Sequence, residues 1–305
     1  MIQHVTQDAV LVHYHIFKNG GSTIDYVLER EFRSQFTTFH GPEPTSTLTR
    51  SDLREFLVAH PSIRAVSSHH LRYPTLRDGD PQIVDICMLR HPLDRLGSVY
   101  QYLRHRHIHV DDPLCSAARK LSAPEFFRYC LENYRNWVQN VQVEWLNSGS
   151  GNGNAVQCAL TELPNIALLG TLDLFDESLA TWEYTLALLF PGISFHYLPQ
   201  NITQSPQLNL QDRLERFRER CGEDLFYQLL LANADDLKLF EAASSIVNRR
   251  FRQRADAEHW LHEFRERNRR LEYYSRTCLR ARIRNRLLNS QNPDVPVSEH
   301  RSNNN

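Results

Sequence analysis

The sequence lacks several features that would assign it to a familiar class. None of its six cysteines is paired at C-x-x-C spacing, which argues against a structural zinc site or a redox dithiol. It has no basic-then-apolar N-terminal signal and no apolar run of about 18 residues, so neither a leader nor a membrane span is predicted. The formal net charge is −1, which does not favour nucleic acid as a partner. We expect a cytoplasmic protein, or one held at the periphery of a membrane.

Two kinds of apolar segment alternate along the chain, which has 305 residues and is 41% hydrophobic. This is enough for one large domain with a substantial core. Runs of β-forming residues predict strands at 9–17, 62–68, 83–89, 165–170 and 193–198. Apolar residues at helical spacing predict helices at 22–32, from Pro92 onward, and at 124–146, 174–190, 211–233 and 235–251. The alternation predicts the α/β class, with a parallel sheet flanked by helices.

The end of the chain is rich in arginine. From Arg249 onward it holds 14 Arg and no Lys against 7 acidic residues. We expect residues 1–251 to form the main domain, 252–289 an Arg-rich helical appendage and 290–305 a disordered tail. Apolar residues of the appendage recur mostly three, four or seven apart. That face is expected to pack on the body, on a second copy in a homo-oligomer, or on an anionic surface.

The loop between the first predicted strand and helix has the composition of an anion-binding loop. It consists of Lys18, Asn19, Gly20, Gly21, Ser22 and Thr23. Glycines let the backbone approach a ligand closely, a helix start offers free N–H groups, and Lys18 adds a charge. Ser22 is also a candidate helix cap. Lys precedes the glycines here, unlike in a Walker A loop, and an ordinary glycine turn stays open as the alternative.

A second element follows the predicted strand at 83–89. Arg90 stands where this strand ends, Pro92 is suited to the first turn of a helix, and Ser98 lies near two turns later. A strand-end Arg and a helical Ser can hold one phosphate from two sides. Taken alone, the element also fits a salt-bridged helix start.

The two elements together resemble those of sulfotransferases that use 3′-phosphoadenosine-5′-phosphosulfate (PAPS). The resemblance is to the family-2 carbohydrate type, which includes the heparan sulfate and dermatan uronyl 2-O-sulfotransferases and bacterial relatives. Residues 15–23 match a loop of the form H-I-P-K-x-G-G-[ST]-[ST], except that Phe17 replaces Pro, and residues 90–98 match R-x-P-x-x-R-x-x-S in full. Three later segments are also similar to family elements: 140–146, 170–179 and 236–242.

The resemblance implies a P-loop-like sulfotransferase fold and transfer of a sulfuryl group from PAPS to a hydroxyl. It implies a carbohydrate or glycolipid as the acceptor and no requirement for a metal. The loop Lys18–Thr23 would hold the 5′-phosphosulfate, and Lys18 would neutralise the charge that grows on the leaving oxygen. Arg90 and Ser98 would hold the 3′-phosphate, which distinguishes PAPS from common nucleotides.

A general base is expected at the end of the predicted strand 62–68. The family often has Gly-His at this position, and here Ser68 is followed by His69 and His70. Both histidines are candidates, and the alignment of strand ends favours His69, with a pKa near the ordinary value of about 6.5. His13 and His15 share one face of the first strand, where they line the floor of the site or pack in the core.

Two other functions stay open from the sequence. One is a P-loop-related kinase that uses ATP, against which the order of the Lys18 loop argues. The other is a nucleotide-independent protein with a degenerate sulfotransferase fold that binds anionic glycans through its tail. Acceptor specificity is expected in the loops 41–50, 105–120 and 147–157, because specificity varies in loops on a common fold.

Overall fold

A computed structural model describes the chain over residues 9–43, 45–73, 82–105, 112–147, 154–200 and 208–290, with side chains up to 277. Five parallel strands form one sheet in the order β2-β3-β1-β4-β5. They are β1 (Val10–Tyr14), β2 (Phe36–Thr38), β3 (Ala65–Ser68), β4 (Ile83–Leu89) and β5 (Leu168–Thr171). The predicted α/β class with a parallel sheet is confirmed.

Helices make up most of the remainder of the described chain. They are α1 (Gly21–Phe32), α2 (Arg50–Ala59), α3 (Pro92–His105), α4 (Pro113–Lys120), α5 (Ala123–Asn133), α6 (Arg135–Val138), α7 (Val141–Leu146), α8 (Ala155–Glu162), α9 (Phe175–Leu186), α10 (Leu210–Cys221), α11 (Glu223–Ala232), α12 (Ala234–Arg252) and α13 (Ala257–Ser290). The helix predicted at 124–146 is instead three helices. Its last break is at Asn140, whose φ of 47° lies in the left-handed region and ends an α-helix.

The strand predicted at 193–198 is wrong. Its backbone groups bond to side chains of other elements, not to a neighbouring strand. The amide of Phe195 donates to Glu183 Oε1 at 2.6 Å, and that of Tyr197 donates to Asn268 Oδ1 at 2.8 Å. Arg30 donates to the carbonyls of residues 194 and 196. These partners satisfy the backbone without a sheet, and they come from distant parts of the chain, so the local sequence could not reveal them.

Both faces of the sheet are covered, as is usual for a parallel sheet whose strands are largely buried. On one face, Val10, Val12 and Tyr14 of β1 pack in a cluster that also contains buried residues of α2, α7, α8 and α12. On the other face, Leu11 packs with residues of α1, α9 and the start of α13. A third cluster joins α3 to α5 with α10 and α11. The sheet therefore places its carboxyl edge against a separate group of helices.

The order of the strands reverses beside β1. From β1 the chain builds β2 and β3 on one side of it, and then crosses to build β4 and β5 on the other. In open α/β sheets, ligands bind outside the carboxyl ends of strands at such a reversal. The two loops at this place begin after Tyr14 and after Leu89.

The first turns of α13 belong to the body. Ala257, Leu261 and Phe264 are buried, and Trp260 Nε1 donates to the carbonyl of Ala180 at 3.2 Å. Farther along, Tyr273 is 68% exposed. The predicted helical appendage is thus a helix whose beginning packs on the domain. Among the described residues, no helix is both long and apolar enough to cross a membrane. The tail predicted to be disordered lies outside the described residues, apart from Ser290.

Candidate functional site

The loop after β1 needs glycine at two positions for different reasons. Gly20 has a φ of 83°, and a Cβ there would lie 2.9 Å from Leu172 Cδ1, so both backbone and space favour glycine. At Gly21, a Cβ would lie 2.2 Å from Cδ2 of His15. Lys18 also has a left-handed backbone, with a φ of 67°, which is strained for a non-glycine residue. The loop is therefore held in an uncommon conformation.

No side chain caps the start of α1. The helix begins at Gly21 and its N-cap is Gly20, so the expectation that Ser22 caps it is wrong. Ser22 is half-buried in the first turn, and Thr23 is 6% exposed. The Thr23 hydroxyl accepts a hydrogen bond from the amide of Gln200 at 3.1 Å. The amide of Thr23 donates to the carbonyl of Gly20 at 3.1 Å, and the start of a helix is a place where other amides can bind an anion.

Arg90 and Lys18 meet at the reversal point of the sheet. Arg90 Nη1 donates to the carbonyl of Lys18 at 2.8 Å, and Arg90 Nε donates to Asp94 at 2.8 Å. Arg90 Nη2 has no hydrogen-bond partner among the described residues. Burial, and then the nearby charge of Arg90, lower the pKa of Lys18 to about 8. Two cations are thus held close together, an arrangement that a bound phosphate would relieve.

A second arginine reaches the same place from α10. Arg213 Nε donates to Asp94 Oδ1 at 3.0 Å, so one buried carboxylate holds both Arg213 and Arg90. Arg213 also holds the carbonyl of Leu208 at 2.7 Å. Ser98 is buried on α3, one helical turn after Asp94 and on the same face. Sequence reasoning missed Arg213, because no local pattern connects residues 119 positions apart.

Asn19 joins a buried network and does not face outward. Its side chain is 1% exposed, and Nδ2 donates to the carbonyl of Met88 at 2.9 Å and to Gln142 Oε1 at 2.8 Å. The same Gln142 oxygen accepts from the amide of Arg90 at 2.9 Å. Asp236 in turn accepts from the amide of Gln142 at 3.1 Å. The segments 140–146 and 236–242 thus fix the loop and Arg90 relative to each other.

His69 and His70 differ in the nitrogen that is occupied. His69 Nδ1 lies 2.7 Å from the carbonyl of His15. A carbonyl only accepts, so Nδ1 carries the proton and Nε2 presents its lone pair. In contrast, His70 Nδ1 accepts from the amide of Gly41 at 2.8 Å, so in the neutral ring Nε2 carries the proton. This difference favours His69 as the proton acceptor.

The pKa of His69 is far from the expected value. Burial, and then the charge of neighbouring His15, lower the pKa of His69 to about 3. The sequence-based expectation of a pKa near 6.5 is therefore wrong, because the local sequence does not show that the ring is enclosed. His69 is neutral over the whole physiological range and can accept a proton there, but as a weak base.

Comparison with known proteins assigns no family. No model of a known family matches this chain. The chain is 26% identical over 240 residues to a protein of Archaeoglobus fulgidus that is described as uncharacterized. The similarity covers 76% of this chain and 94% of that protein. A relative of similar extent therefore occurs in an archaeon, and its description carries no activity.

The site residues named from the sequence thus fall into three groups. Lys18, Arg90 and the start of α1 meet at one edge of the sheet. His69 directly follows the adjacent strand β3, and its Nδ1 donates to the carbonyl of His15, which directly follows β1. Some of the loops expected to select an acceptor, including residues 106–111 and 148–153, lie outside the described residues.

Proposed function

We propose that this protein is a sulfotransferase of P-loop-like fold that moves a sulfuryl group from PAPS to a hydroxyl of a carbohydrate or glycolipid. The observation that carries the proposal is the bond from Arg90 Nη1 to the carbonyl of Lys18. It brings two sequence elements that are 72 residues apart into one site, and these are the elements that resemble the donor-binding motifs of sulfotransferases. Their place at the reversal point of a parallel sheet also supports a nucleotide site.

The loop suits the 5′-phosphosulfate. Gly20 and Gly21 allow the tight turn into α1, where a side chain would collide with Leu172 or His15, and the start of a helix can offer amides to an anion. Lys18 lies at the same place, with Nζ 4.4 Å from the ring centre of Tyr102. A cation so placed would stabilise the charge that develops on the bridging oxygen as the sulfur–oxygen bond breaks.

The end of β4 suits the 3′-phosphate. Arg90 keeps Nη2 available among the described residues, while Asp94 and the Lys18 carbonyl hold the rest of its guanidinium group. Ser98 would supply a hydroxyl from the face of α3 that also carries Asp94. A guanidinium held in this way is ready for a phosphate without further ordering of its side chain.

The reaction is an in-line displacement at sulfur. The acceptor oxygen forms a bond to sulfur, and the bond between sulfur and the phosphate oxygen breaks. Adenosine 3′,5′-bisphosphate leaves with that electron pair, and His69 Nε2 takes the acceptor proton. The negative charge of the donor would favour the protonated form of His69 and so raise its basicity in the complex.

The base assignment predicts the effect of His69→Ala. The variant should lose about 10²–10³-fold in kcat and keep its affinity for adenosine 3′,5′-bisphosphate, because a base acts on the acceptor. His70→Ala is the matched control, since His70 Nδ1 is already occupied by the amide of Gly41. Single-turnover transfer rates decide the assignment, and a larger loss in the His70 variant would reverse it.

The proposed function is tested with radiolabelled PAPS against a panel of glycans, glycolipids and small alcohols. Transfer of label supports it. Calorimetry with adenosine 3′,5′-bisphosphate, AMP and ATP with Mg²⁺ gives a second measurement. Binding of ATP with Mg²⁺ but not of the bisphosphate would instead indicate a kinase. Binding of sulfated glycan with no nucleotide binding would indicate the degenerate, glycan-binding alternative.

A further inference from the structure

A carboxylate of α1 accepts hydrogen bonds from two histidines at the carboxyl end of β1, His13 within the strand and His15 directly after it. Asp25 Oδ1 lies 2.8 Å from Nδ1 of His13, and Oδ2 lies 2.7 Å from Nδ1 of His15. Burial raises the pKa of Asp25, but the hydrogen bonds from His13 and His15 outweigh it and hold this pKa well below its usual range. Because an ionised carboxylate only accepts, both rings carry their proton on Nδ1.

His15 occupies the position between the donor loop and the proposed base. Its Cδ2 and Nε2 lie where a Cβ on Gly21 would come within 2.2–2.3 Å. Its ring centre is 3.9 Å from that of His69, and its carbonyl accepts from His69 Nδ1. A rotation of the His15 ring would therefore displace His69. The loop has further anchors in Asn19 and does not depend on His15 alone.

We propose that Asp25 is a positioning residue of the transfer site, which acts through His15 to fix the ring and tautomer against which His69 is placed. The inference rests on the proposed function of the site. The groups that face this cluster are His13 on β1, His15 directly after it, Asp25 on α1, and His40, His69 and His70 beside β3. Among these groups Asp25 is the carboxylate, and it accepts a hydrogen bond from Nδ1 of both His13 and His15.

The same three side chains raise a competing possibility. Ligand atoms of His13, His15 and Asp25 lie within 4.8 Å of one another, as a metal ion would require. Their contacts of 2.7 and 2.8 Å are those of charge-assisted hydrogen bonds. His13 Nδ1 also lies 3.0 Å from the hydroxyl of Ser67. A proton-sharing cluster explains these contacts, and metal binding becomes an outcome of the test.

The substitution Asp25→Asn separates tautomer control from simple packing. An amide is of the same size but has one acceptor oxygen and one donor nitrogen. Its oxygen can accept from Nδ1 of one histidine, but its nitrogen can only donate. The histidine that faces this nitrogen must therefore accept at Nδ1 and carry its proton on Nε2. Because Asp25 acts on the base only through His15, the loss in kcat cannot exceed that of removing His69, and we expect it to reach about 10²–10³-fold at most. Affinity for adenosine 3′,5′-bisphosphate should change less than about threefold.

Asp85→Asn is the matched control. Asp85 on β4 accepts from the Tyr14 hydroxyl at 2.6 Å, so this variant also replaces a side-chain-bonded carboxylate of the sheet with an amide. It should transfer sulfuryl groups at the rate of the unchanged protein. An equal loss in both variants would show that Asp25 acts only through stability and would overturn the proposal.

Long-range ¹⁵N NMR of histidine-labelled protein gives a measurement independent of turnover. In the unchanged protein, His15 should carry its proton on Nδ1, and in the Asp25→Asn variant the signal of His13 or His15 should show a proton on Nε2. A different tautomer in the unchanged protein overturns the proposal even if the variant does not fold. So does stoichiometric binding of Zn²⁺ that the variant loses. Absence of PAPS transfer and of bisphosphate binding in the unchanged protein would instead refute the proposed function, and the NMR result would still decide whether Asp25 sets the tautomer.

Discussion

At the scale of single residues, the cations of the site differ in their partners. Arg90 shares Asp94 with Arg213, whereas Lys18 lies against the Tyr102 ring and faces the charge of Arg90. A lysine in such a place loses its proton more easily than one in water. The charge of Lys18 therefore responds to pH near its pKa of about 8.

Lys18→Ala should reduce kcat by about 10²–10³-fold, because it removes a stabiliser of the developing charge. Affinity for adenosine 3′,5′-bisphosphate should fall much less. Lys18 is charged below its pKa of about 8, so kcat/KM should decline as pH rises through that value. Lys18→Arg should remove this alkaline limb, since a guanidinium stays charged. A pH profile measured on both variants checks the assignment, and a near-normal kcat in Lys18→Ala contradicts it.

Arg90→Ala should weaken adenosine 3′,5′-bisphosphate by about 1.5–3 kcal/mol, or roughly 10–100-fold, as expected for a hydrogen bond to a charged group. AMP, which lacks the 3′-phosphate, should lose little. The control is Arg104→Ala on α3, the helix that follows Arg90, since Arg104 is exposed and bonds to the Tyr100 hydroxyl. Calorimetry with both ligands decides, and equal losses would show that Arg90 does not contact the 3′-phosphate.

At the scale of elements, the turn from β1 into α1 is a tight fit between a glycine and a ring. Gly21 has no room for a side chain because His15 lies against it. The alternation of His13 and His15 along the strand predicted at 9–17 indicated their shared face, but the sequence did not reveal that Asp25 would bond to both. Strands with long apolar runs were predicted well, and β4 was predicted to the residue. The three-residue β2 was missed because so short a strand has no periodicity to detect.

Gly21→Ala should abolish binding of adenosine 3′,5′-bisphosphate, because its methyl group would overlap the His15 ring and displace the loop. Removing the ring should restore space, so the double variant Gly21→Ala with His15→Ala should regain most of the binding. The measurement is calorimetry on folded protein, verified by circular dichroism. If the double variant binds no better than the single one, the ring is not what excludes a side chain at Gly21.

At the scale of the whole molecule, α13 has a packed beginning and a largely exposed continuation. Phe264 is fully buried, and Arg267 bonds to Glu183 at 2.5 Å. Tyr274 is 65% exposed. The sequence predicted the helix but left open whether it packs on the body, on a copy or on an anionic surface. Its apolar spacing is the same in all three cases, so only the fold could place its first turns on the body.

Two truncations separate these parts of α13. Ending the chain after Arg254 removes the buried side chains of Leu261 and Phe264, each worth about 1.5–3 kcal/mol, and the smaller one of Ala257, so unfolding free energy should fall by on the order of 5 kcal/mol. Ending it after Arg276 keeps those contacts and should leave stability and transfer activity unchanged. Urea unfolding and light scattering measure the effects. If the variant that ends after Arg276 goes from a dimer to a monomer in light scattering, the exposed part of α13 joins two copies.

The hydrogen bonds that Asp236 accepts from Gln142 have a consequence for the synthesis of the protein. The loop at Asn19 and the strand end at Arg90 are both held by Gln142, and Gln142 is held by Asp236. Asn19 and Arg90 are synthesised early in translation, but Asp236 is added only when most of the polypeptide has been made. A nascent chain, or one cut short before α12, would therefore carry the donor-binding residues without the frame that aligns them. Each molecule would therefore gain the proposed activity only near the end of its synthesis.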